Sequence, residues 1–236
     1  MSIRHLRHGL SPVPLTSRLI KPYSRYMKII RQPFRYQHIN IVYWLIGINF
    51  IFFVLMHFLG FRHLLVAMSM NPARIVLNGW VWTFVTYMFV HGGFGHIIFN
   101  MLALFIFGAH VERYMGSKEF LLFYLVTGTL AGIFSFFVYY LTGQYFVLLM
   151  GASGAVFAVS LAYAVLFPDS IIYIWGILPV RAPIMVLGFT IIELISQFAR
   201  PHSGVAHLTH LAGFAFAWLY FVVRFNINPW KRLRMR

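Results

Sequence analysis

Serine and histidine are the side chains of this sequence that could carry out covalent chemistry. The 236-residue chain contains no cysteine, which excludes thiolate catalysis, disulfide bonds and Cys-ligated metal centres. Its acidic residues are Glu112, Glu119, Asp169 and Glu193. One aspartate cannot form the carboxylate pair of an aspartyl protease, and the HExxH motif of zinc proteases does not occur. We therefore expect serine and histidine to carry any reaction.

The candidate side chains are spread over three segments that lie far apart in the sequence. They are His91, His96 and Asn100 in the first segment, Ser153 in the second, and His207 and His210 in the third. His96 and Asn100 are four residues apart, and His207 and His210 three, so each pair would share one face of a helix. Each pair could therefore line a cavity.

Small residues surround the candidate serine. Ser153 lies in the segment 151–155, Gly-Ala-Ser-Gly-Ala, which leaves room for a second helix beside the hydroxyl group. Gly213 and Ala217 offer a matching small-residue face one to two turns beyond His210. This pattern predicts a hydrogen bond between Ser153 and His210 across two packed helices.

Composition indicates that a membrane positions these groups. The chain is 61% hydrophobic and 10% charged, with a mean hydropathy of +0.78, which excludes a water-soluble enzyme. Six apolar stretches are long enough to cross a bilayer: residues 39–61, 94–111, 120–141, 147–167, 183–199 and 205–223. The aromatic stretch 79–90 is too short to cross, and we expect it to be interfacial or re-entrant.

The distribution of positive charge predicts the orientation. With six spans, 16 of the 19 Lys and Arg residues fall on the side of the two chain ends and three on the other side. Both termini are therefore expected in the cytoplasm. We interpret residues 1–37 and 226–236 as basic cytoplasmic tails around a membrane domain, 38–225. The tails would contact anionic lipid headgroups rather than nucleic acid. The first tail could alternatively be a mitochondrial presequence.

This topology brings the candidate groups to one depth. Ser153, Asn100 and His210 would each lie about 10 Å below the outer surface, because each follows the outer start of a span by a few residues. Polar groups that converge inside a membrane suggest function.

These residues together resemble the rhomboid intramembrane serine proteases, over about residues 40–225. The motifs that carry the resemblance are His91-Gly92-Gly93-Phe94-Gly95-His96 with Asn100, Glu112-Arg113 followed by Gly116, Gly151-Ala152-Ser153-Gly154, and His210-Leu211-Ala212-Gly213. The resemblance implies an all-α fold, a bundle of six transmembrane helices with both termini in the cytoplasm.

The resemblance also implies roles for individual residues. Ser153 would be the nucleophile and His210 the general base, a dyad without a carboxylate, with Glu193 the one acid that could lie near. His210 is preferred to His207 because it begins the His-x-x-Gly sequence that ends at Gly213. His96, Asn100 and Gly151 would form the oxyanion and substrate-binding site. The residues expected to give structural support are His91, Gly154, Gly213, Glu112 and Arg113. Glu112 and Arg113 could form a local ion pair or an interface anchor.

The predicted function is therefore hydrolysis of peptide bonds in or near transmembrane segments, without a metal or other cofactor. Transmembrane proteins would be the substrates, and small residues at the cleaved bond would be preferred. A bacterial inner membrane is the expected location, with a mitochondrial inner membrane as the alternative. Two other functions stay open: a rhomboid-like protein that binds without cleaving, and a metal or haem protein that uses His91, His96, His207 and His210. Oligomeric state is not predicted.

Overall fold

The structure consists mainly of apolar helices, which follow the order of the apolar stretches in the sequence. The structure is a computed structural model that describes residues 30–174, 176–199 and 206–234. Its elements are α1 (Ile41–His57), α2 (Arg62–Met68), α3 (Pro72–Asn78), α4 (Thr83–Thr86), α5 (Phe94–Ala103), α6 (Ala109–Met115), α7 (Ser117–Leu141), α8 (Ser153–Leu166), β1 (Ile171–Ile174), β2 (Leu178–Arg181), α9 (Ala182–Ala199), α10 (His207–Phe225) and α11 (Pro229–Leu233). Most of the predicted basic tail 1–37, the last two residues of the chain and residue 205 of the sixth predicted span lie outside the described residues.

Three helices of the described part are long and apolar enough to cross a membrane. They are Phe94–Met115, Ser117–Leu141 and His207–Phe225. The first combines α5 and α6 through a π-helical turn at Leu104–Gly108. Helices α1, α8 and α9 are apolar but shorter. The count of six spans and the position of the termini stay predictions.

Helix α8 is short because it lies inside the bundle. Its 14 residues extend about 21 Å, which is less than the hydrocarbon thickness of about 30 Å. Residues 154–156 and 158–165 are all buried. The helix packs against α7 and α10, so protein rather than lipid surrounds most of it.

The segment before α8 is extended, although the sequence predicted a helix from residue 147. Leu149 forms a β-bridge with Met70, and Gly151 has a φ of 117°. Such a φ favours glycine and does not continue a helix. The helix therefore begins at Ser153, which places this residue at the first helical position.

The fold is mostly helical, and a two-stranded hairpin is the addition that the predicted all-α fold did not include. Strands β1 and β2 pair antiparallel, with Ile171 opposite Arg181 and Ile174 opposite Leu178. Ile171, Ile172 and Ile174 are β-branched, and such residues favour strands. The sequence analysis had treated this segment only as the connection between two spans.

The aromatic segment 79–90 forms short helical pieces rather than a crossing helix, as its length predicts. It contains α4 and a 3₁₀ turn, Tyr87–Phe89. The Tyr87 hydroxyl donates a hydrogen bond of 2.7 Å to the carbonyl of Gly128, and the Trp82 indole donates to the carbonyl of Ala67 at 3.0 Å. These bonds fasten the segment to α7 and α2.

Glu112 holds the start of α1. Its carboxylate accepts hydrogen bonds from the backbone N–H groups of Ile41 and Val42, at 2.7 and 2.9 Å, and from the Ser117 hydroxyl. These N–H groups belong to the first turn of a helix, where no helical carbonyl is available to them. Glu112 thus acts as a cap contributed by another helix, whereas Arg113 is exposed.

Glu119 ties α7 to α10 at the same end of the bundle. Arg224 binds its two carboxylate oxygens through Nε at 2.8 Å and Nη2 at 2.9 Å, and Tyr220 donates to it at 2.6 Å. The backbone N–H of Phe34 also donates to Glu119, at 3.2 Å. The charged pair is nearly buried and is satisfied by hydrogen bonds on several sides.

Candidate active site

Ser153 and His210 meet at the opposite end of the bundle. Ser153 begins α8, and His210 lies in the first turn of α10. His210 Nε2 is 2.7 Å from Ser153 Oγ. The histidine is 8% exposed and the serine is half-buried, so the hydroxyl group is reachable while its partner is shielded. These are the two groups that the small-residue pattern predicted to pair.

Two glycines allow the helices to approach this closely. A Cβ added to Gly213 on α10 would collide with the backbone carbonyl of Gly154 on α8. A Cβ added to Gly154 would lie 3.2 Å from side chains on α7 and α10, namely Ala131 and Thr209. Larger residues at either glycine would separate the helices that carry Ser153 and His210.

Aromatic rings fix the plane of the candidate base. Phe157, one turn after Ser153, stacks on His210 with a centroid distance of 4.4 Å and an interplanar angle of 14°. Phe189 on α9 packs behind Phe157, with centroids 6.0 Å apart. The imidazole is therefore held on one face, and its edge is directed towards Ser153.

A carboxylate lies on the other edge of the same imidazole. Glu193 Oε1 is 3.0 Å from His210 Nδ1, and Glu193 Oε2 is 2.5 Å from His207 Nδ1. From the sequence, Glu193 is only an acid that could lie near, because a position on α9 does not by itself define which helix it faces. The four-residue spacing from Phe189, which also faces the site, was a signal that could have placed it.

Gly151 and His96 form the side of the site next to Ser153. A Cβ on Gly151 would lie 2.5 Å from His96 Nε2, so the imidazole rests directly against the glycine backbone. The N–H of Gly151 donates to the carbonyl of Tyr87 at 2.9 Å. Asn100, one turn after His96, donates its amide to the His96 carbonyl at 2.8 Å. The structure thus brings His96 and Gly151 together, with Asn100 bonded along its own helix.

His91 supports His96 from behind. The two rings are 5.0 Å apart in an edge-to-face arrangement, and His91 is 1% exposed. Burial lowers the pKa of His91 to about 3, so its imidazole is neutral at physiological pH. Neither ring nitrogen has a hydrogen-bond partner among the described residues. His91 therefore acts on the site by packing.

Three side chains that offer metal-ligand atoms lie at the site itself. Among the described residues, Glu193, His207 and His210 each offer a ligand atom, and these atoms lie within 4.8 Å of one another. Carboxylate and imidazole are ligands that suit zinc and other transition metals. The four-histidine set considered from the sequence is divided: His91 contacts His96, and His207 faces Glu193 with His210.

The helical bundle with membrane-spanning segments, and the contact between Ser153 at a helix start and the buried His210, define the class of protein as an integral membrane protein with a Ser–His site. The model of the family described as "Rhomboid domain" matches residues 78–227. Since this match covers more than half of the chain, the protein belongs to the rhomboid family. The shared segment contains Ser153, His210 and every residue that lines the site described above.

Individual relatives agree with this assignment. Rhomboid protease GlpG of Haemophilus influenzae is 34% identical over 101 residues, which is 43% of this chain and 50% of the relative. Rhomboid protease GluP of Bacillus subtilis is 39% identical over 94 residues, 39% of this chain and 17% of the relative. RHOMBOID-like protein 12, mitochondrial, of Arabidopsis thaliana is 32% identical over 159 residues, 59% of this chain and 45% of the relative. The chain thus spans half or less of the length of each of these relatives.

Proposed function

We propose that this protein is an intramembrane serine endopeptidase that hydrolyses peptide bonds in or near transmembrane segments of other proteins. The observation that carries the proposal is the 2.7 Å contact between His210 Nε2 and Ser153 Oγ. A hydroxyl group in hydrogen-bond reach of an imidazole can be activated by proton transfer. Membership of the rhomboid family, with relatives named as proteases, supports the same function.

The reaction follows from this pair. His210 Nε2 accepts the hydroxyl proton of Ser153 while Oγ bonds to the carbonyl carbon of the peptide, and the carbonyl oxygen becomes an oxyanion. The tetrahedral intermediate collapses, the C–N bond breaks, and the amine leaves with the proton from His210. Water then attacks the carbonyl carbon of the acyl ester and gives a proton to His210. The bond between that carbon and Ser153 Oγ breaks, the acid product leaves, and Oγ takes the proton back from His210.

The oxyanion requires donors fixed in advance. The backbone N–H of Ser153 belongs to the first turn of α8, where no helical carbonyl takes it, and a helix N-terminus favours negative charge. His96, whose imidazole rests on the Gly151 backbone, is the first proposed side-chain donor. Asn100 is the second proposed side-chain donor: one N–H of its amide donates to the His96 carbonyl, and the amide carries a second N–H.

The proposed topology decides which substrates can reach the site. Six spans with both termini in the cytoplasm place Ser153 near the outer surface of a bacterial inner membrane. A peptide bond in an intact helix is shielded by its backbone hydrogen bonds, so helix-breaking Gly or Pro near the outer end of a substrate span should promote attack. Transmembrane proteins and the surrounding bilayer are therefore the proposed partners.

A reconstituted cleavage assay tests the proposal. The purified protein is placed in liposomes with fluorescent single-span peptides that carry Gly and Pro in the outer half, beside a matched all-Leu peptide. We expect cleavage of the first peptide, slower cleavage of the second, and none by Ser153→Ala. Ser160→Ala is the matched control, because Ser160 is buried on the same helix and donates to the Val156 carbonyl.

The outcomes separate the competing functions. Binding of the peptide without cleavage by the wild-type protein would indicate a non-proteolytic rhomboid-like protein. Equal cleavage by wild type and Ser153→Ala would exclude Ser153 as the nucleophile.

A further inference from the structure

Three polar side chains from two helices meet beside the proposed nucleophile. Glu193 comes from α9, and His207 and His210 come from the first turn of α10. Their residues are 9%, 8% and 8% exposed, so the carboxylate lies largely away from water. A carboxylate in an apolar helix is costly to bury, and such groups are retained where they have partners and a role.

The position of Glu193 matches the one nitrogen of His210 that Ser153 does not use. For Nε2 to accept the Ser153 proton, the neutral imidazole must carry its hydrogen on Nδ1. Glu193 Oε1 lies 3.0 Å from that Nδ1. A carboxylate this close to Nδ1 favours the tautomer that carries its hydrogen on Nδ1, in which Nε2 is free to act as a base.

We propose that Glu193 is a positioning residue that orients His210 and stabilises its protonated form during peptide hydrolysis, so that Ser153, His210 and Glu193 act as a triad. This inference rests on the proposed protease function. The family resemblance implied a pair without a carboxylate, so the role of Glu193 goes beyond it.

Two side chains of α9 hold the His210 imidazole, one through Phe157 and one directly. Phe189 and Glu193 are four residues apart and therefore lie on one helix face. Phe189 packs on Phe157, which stacks on the face of His210, while Glu193 lies at its Nδ1 edge. One face of α9 thus sets both the plane and the rotation of the His210 ring.

His207 holds the carboxylate in place. Its Nδ1 is 2.5 Å from Glu193 Oε2, which leaves Oε1 directed at His210. The distance between Glu193 Oε1 and His210 Nδ1 is that of an ion pair. Their geometry is not that of a hydrogen bond, and Nδ1 has no hydrogen-bond partner among the described residues. Catalytic hydrogen bonds often tighten only when charge develops. When His210 takes the Ser153 proton, attraction to the carboxylate strengthens this contact.

The acidic residues elsewhere have different structural tasks. Glu112 caps α1 and Glu119 binds Arg224, both at the opposite end of the bundle. Asp169 is exposed and follows α8 in the chain. Among the described residues, Glu193 is thus the carboxylate that faces the site. The other titratable groups that face His210 are His207 on its own helix and His96 from α5.

The experiment measures the second-order rate of labelling by a fluorescent fluorophosphonate in detergent, from pH 5 to 9. We compare wild type, Glu193→Gln, Glu193→Asp and the control Thr190→Val, whose hydroxyl group bonds only the Val186 carbonyl of its own helix in the described structure. In Glu193→Gln we expect a rate about 10- to 100-fold lower at pH 7. Glu193→Asp, which keeps the negative charge, should recover part of the lost rate, and Thr190→Val should match wild type.

Two results would overturn the inference while leaving the protease proposal intact. The first is a wild-type rate and pH profile in a folded Glu193→Gln variant. The second is stoichiometric zinc in the purified wild-type protein that is absent from Glu193→Gln, since the three side chains would then be metal ligands. Failure of the wild-type protein itself to label would instead count against the proposed function.

A spectroscopic measurement keeps the test valid if Glu193→Gln does not fold. In wild-type protein with ¹⁵N-labelled histidine, the phosphonate adduct of Ser153 should show a strongly deshielded proton on the Nδ1 of His210. Such a proton reports a hydrogen bond to the Glu193 carboxylate. A proton in the ordinary imidazole range would contradict the triad.

Discussion

Ser153 depends on the backbone of its neighbours as much as on His210. Gly151, two residues earlier, has a φ of 117°, and the ring of His96 occupies the space where a side chain would project. The left-handed region is costly for L residues with a side chain, by about 1–3 kcal/mol. Glycine at this position therefore serves both the turn into α8 and the close approach of His96.

Replacing Gly151 by alanine should displace His96. A Cβ would lie 2.5 Å from His96 Nε2 in a strained conformation, so His96 must move away from the oxyanion site. We expect a labelling rate with fluorophosphonate about 10²-fold below wild type, the size of effect seen when an oxyanion donor is lost. Gly93→Ala is the matched control, because Gly93 is extended and has no atom within 4 Å of an added Cβ. Equal rates for the two variants would show that Gly151 does not position His96.

At the scale of helices, the approach of α8 to α10 decides whether Ser153 reaches His210. Gly213→Ala would press a methyl group against the Gly154 carbonyl, and backbone atoms cannot yield as a flexible side chain can. We expect a loss of about 1–3 kcal/mol in the free energy of unfolding and loss of labelling. Thermal unfolding in detergent measures the first effect.

Gly188 provides the control for this helix-packing prediction. It lies within α9, and an added Cβ would have no heavy atom within 4 Å. Gly188→Ala should leave the unfolding temperature unchanged or raise it, because alanine favours helices over glycine by about 0.5–1 kcal/mol. Equal unfolding temperatures for Gly188→Ala and Gly213→Ala would contradict the packing account.

The Glu112 carboxylate should stabilise the start of α1. Glu112→Ala would leave the N–H groups of Ile41 and Val42 without their acceptor, and an unpaired buried donor costs about 1–3 kcal/mol. We expect a total loss of about 2–4 kcal/mol in thermal unfolding experiments. The exposed neighbour gives the control: Arg113→Ala should change stability by less than about 0.5 kcal/mol. Similar losses from both variants would favour a local ion pair instead.

The helices could be predicted from the sequence because apolar length is a strong local signal, and the pairing of Ser153 with His210 followed from small residues on both segments. The start of α8 could not be predicted, because Val147, Leu148 and Leu149 are as apolar as the residues of a membrane-spanning helix. Their extended conformation depends on the bridge between Leu149 and Met70, which are far apart in the sequence. The hairpin depends on the pairing of two short segments, which apolar length does not reveal. The orientation of Glu193 depends on how α9 packs.

At the scale of the whole molecule, the charge distribution predicts the orientation of the bundle. Arg224 and Glu119 lie at the end opposite to Ser153, and most Lys and Arg residues fall on that side in the six-span topology. We expect green fluorescent protein to be fluorescent, and alkaline phosphatase inactive, when either is fused to each terminus in a bacterial host. Active phosphatase at one terminus would mean an odd number of spans.

Peptide hydrolysis by this protein depends, in our proposal, on Ser153 as a nucleophile that His210 activates. The most direct test is intact-mass and peptide analysis after reaction of the purified protein with a fluorophosphonate, comparing wild type, Ser153→Ala, His210→Ala and the control Ser160→Ala. We predict one adduct per chain, located on Ser153, in wild type and Ser160→Ala, and no adduct in the other two variants. An adduct on another residue, or undiminished labelling of Ser153 in His210→Ala, would contradict the claim.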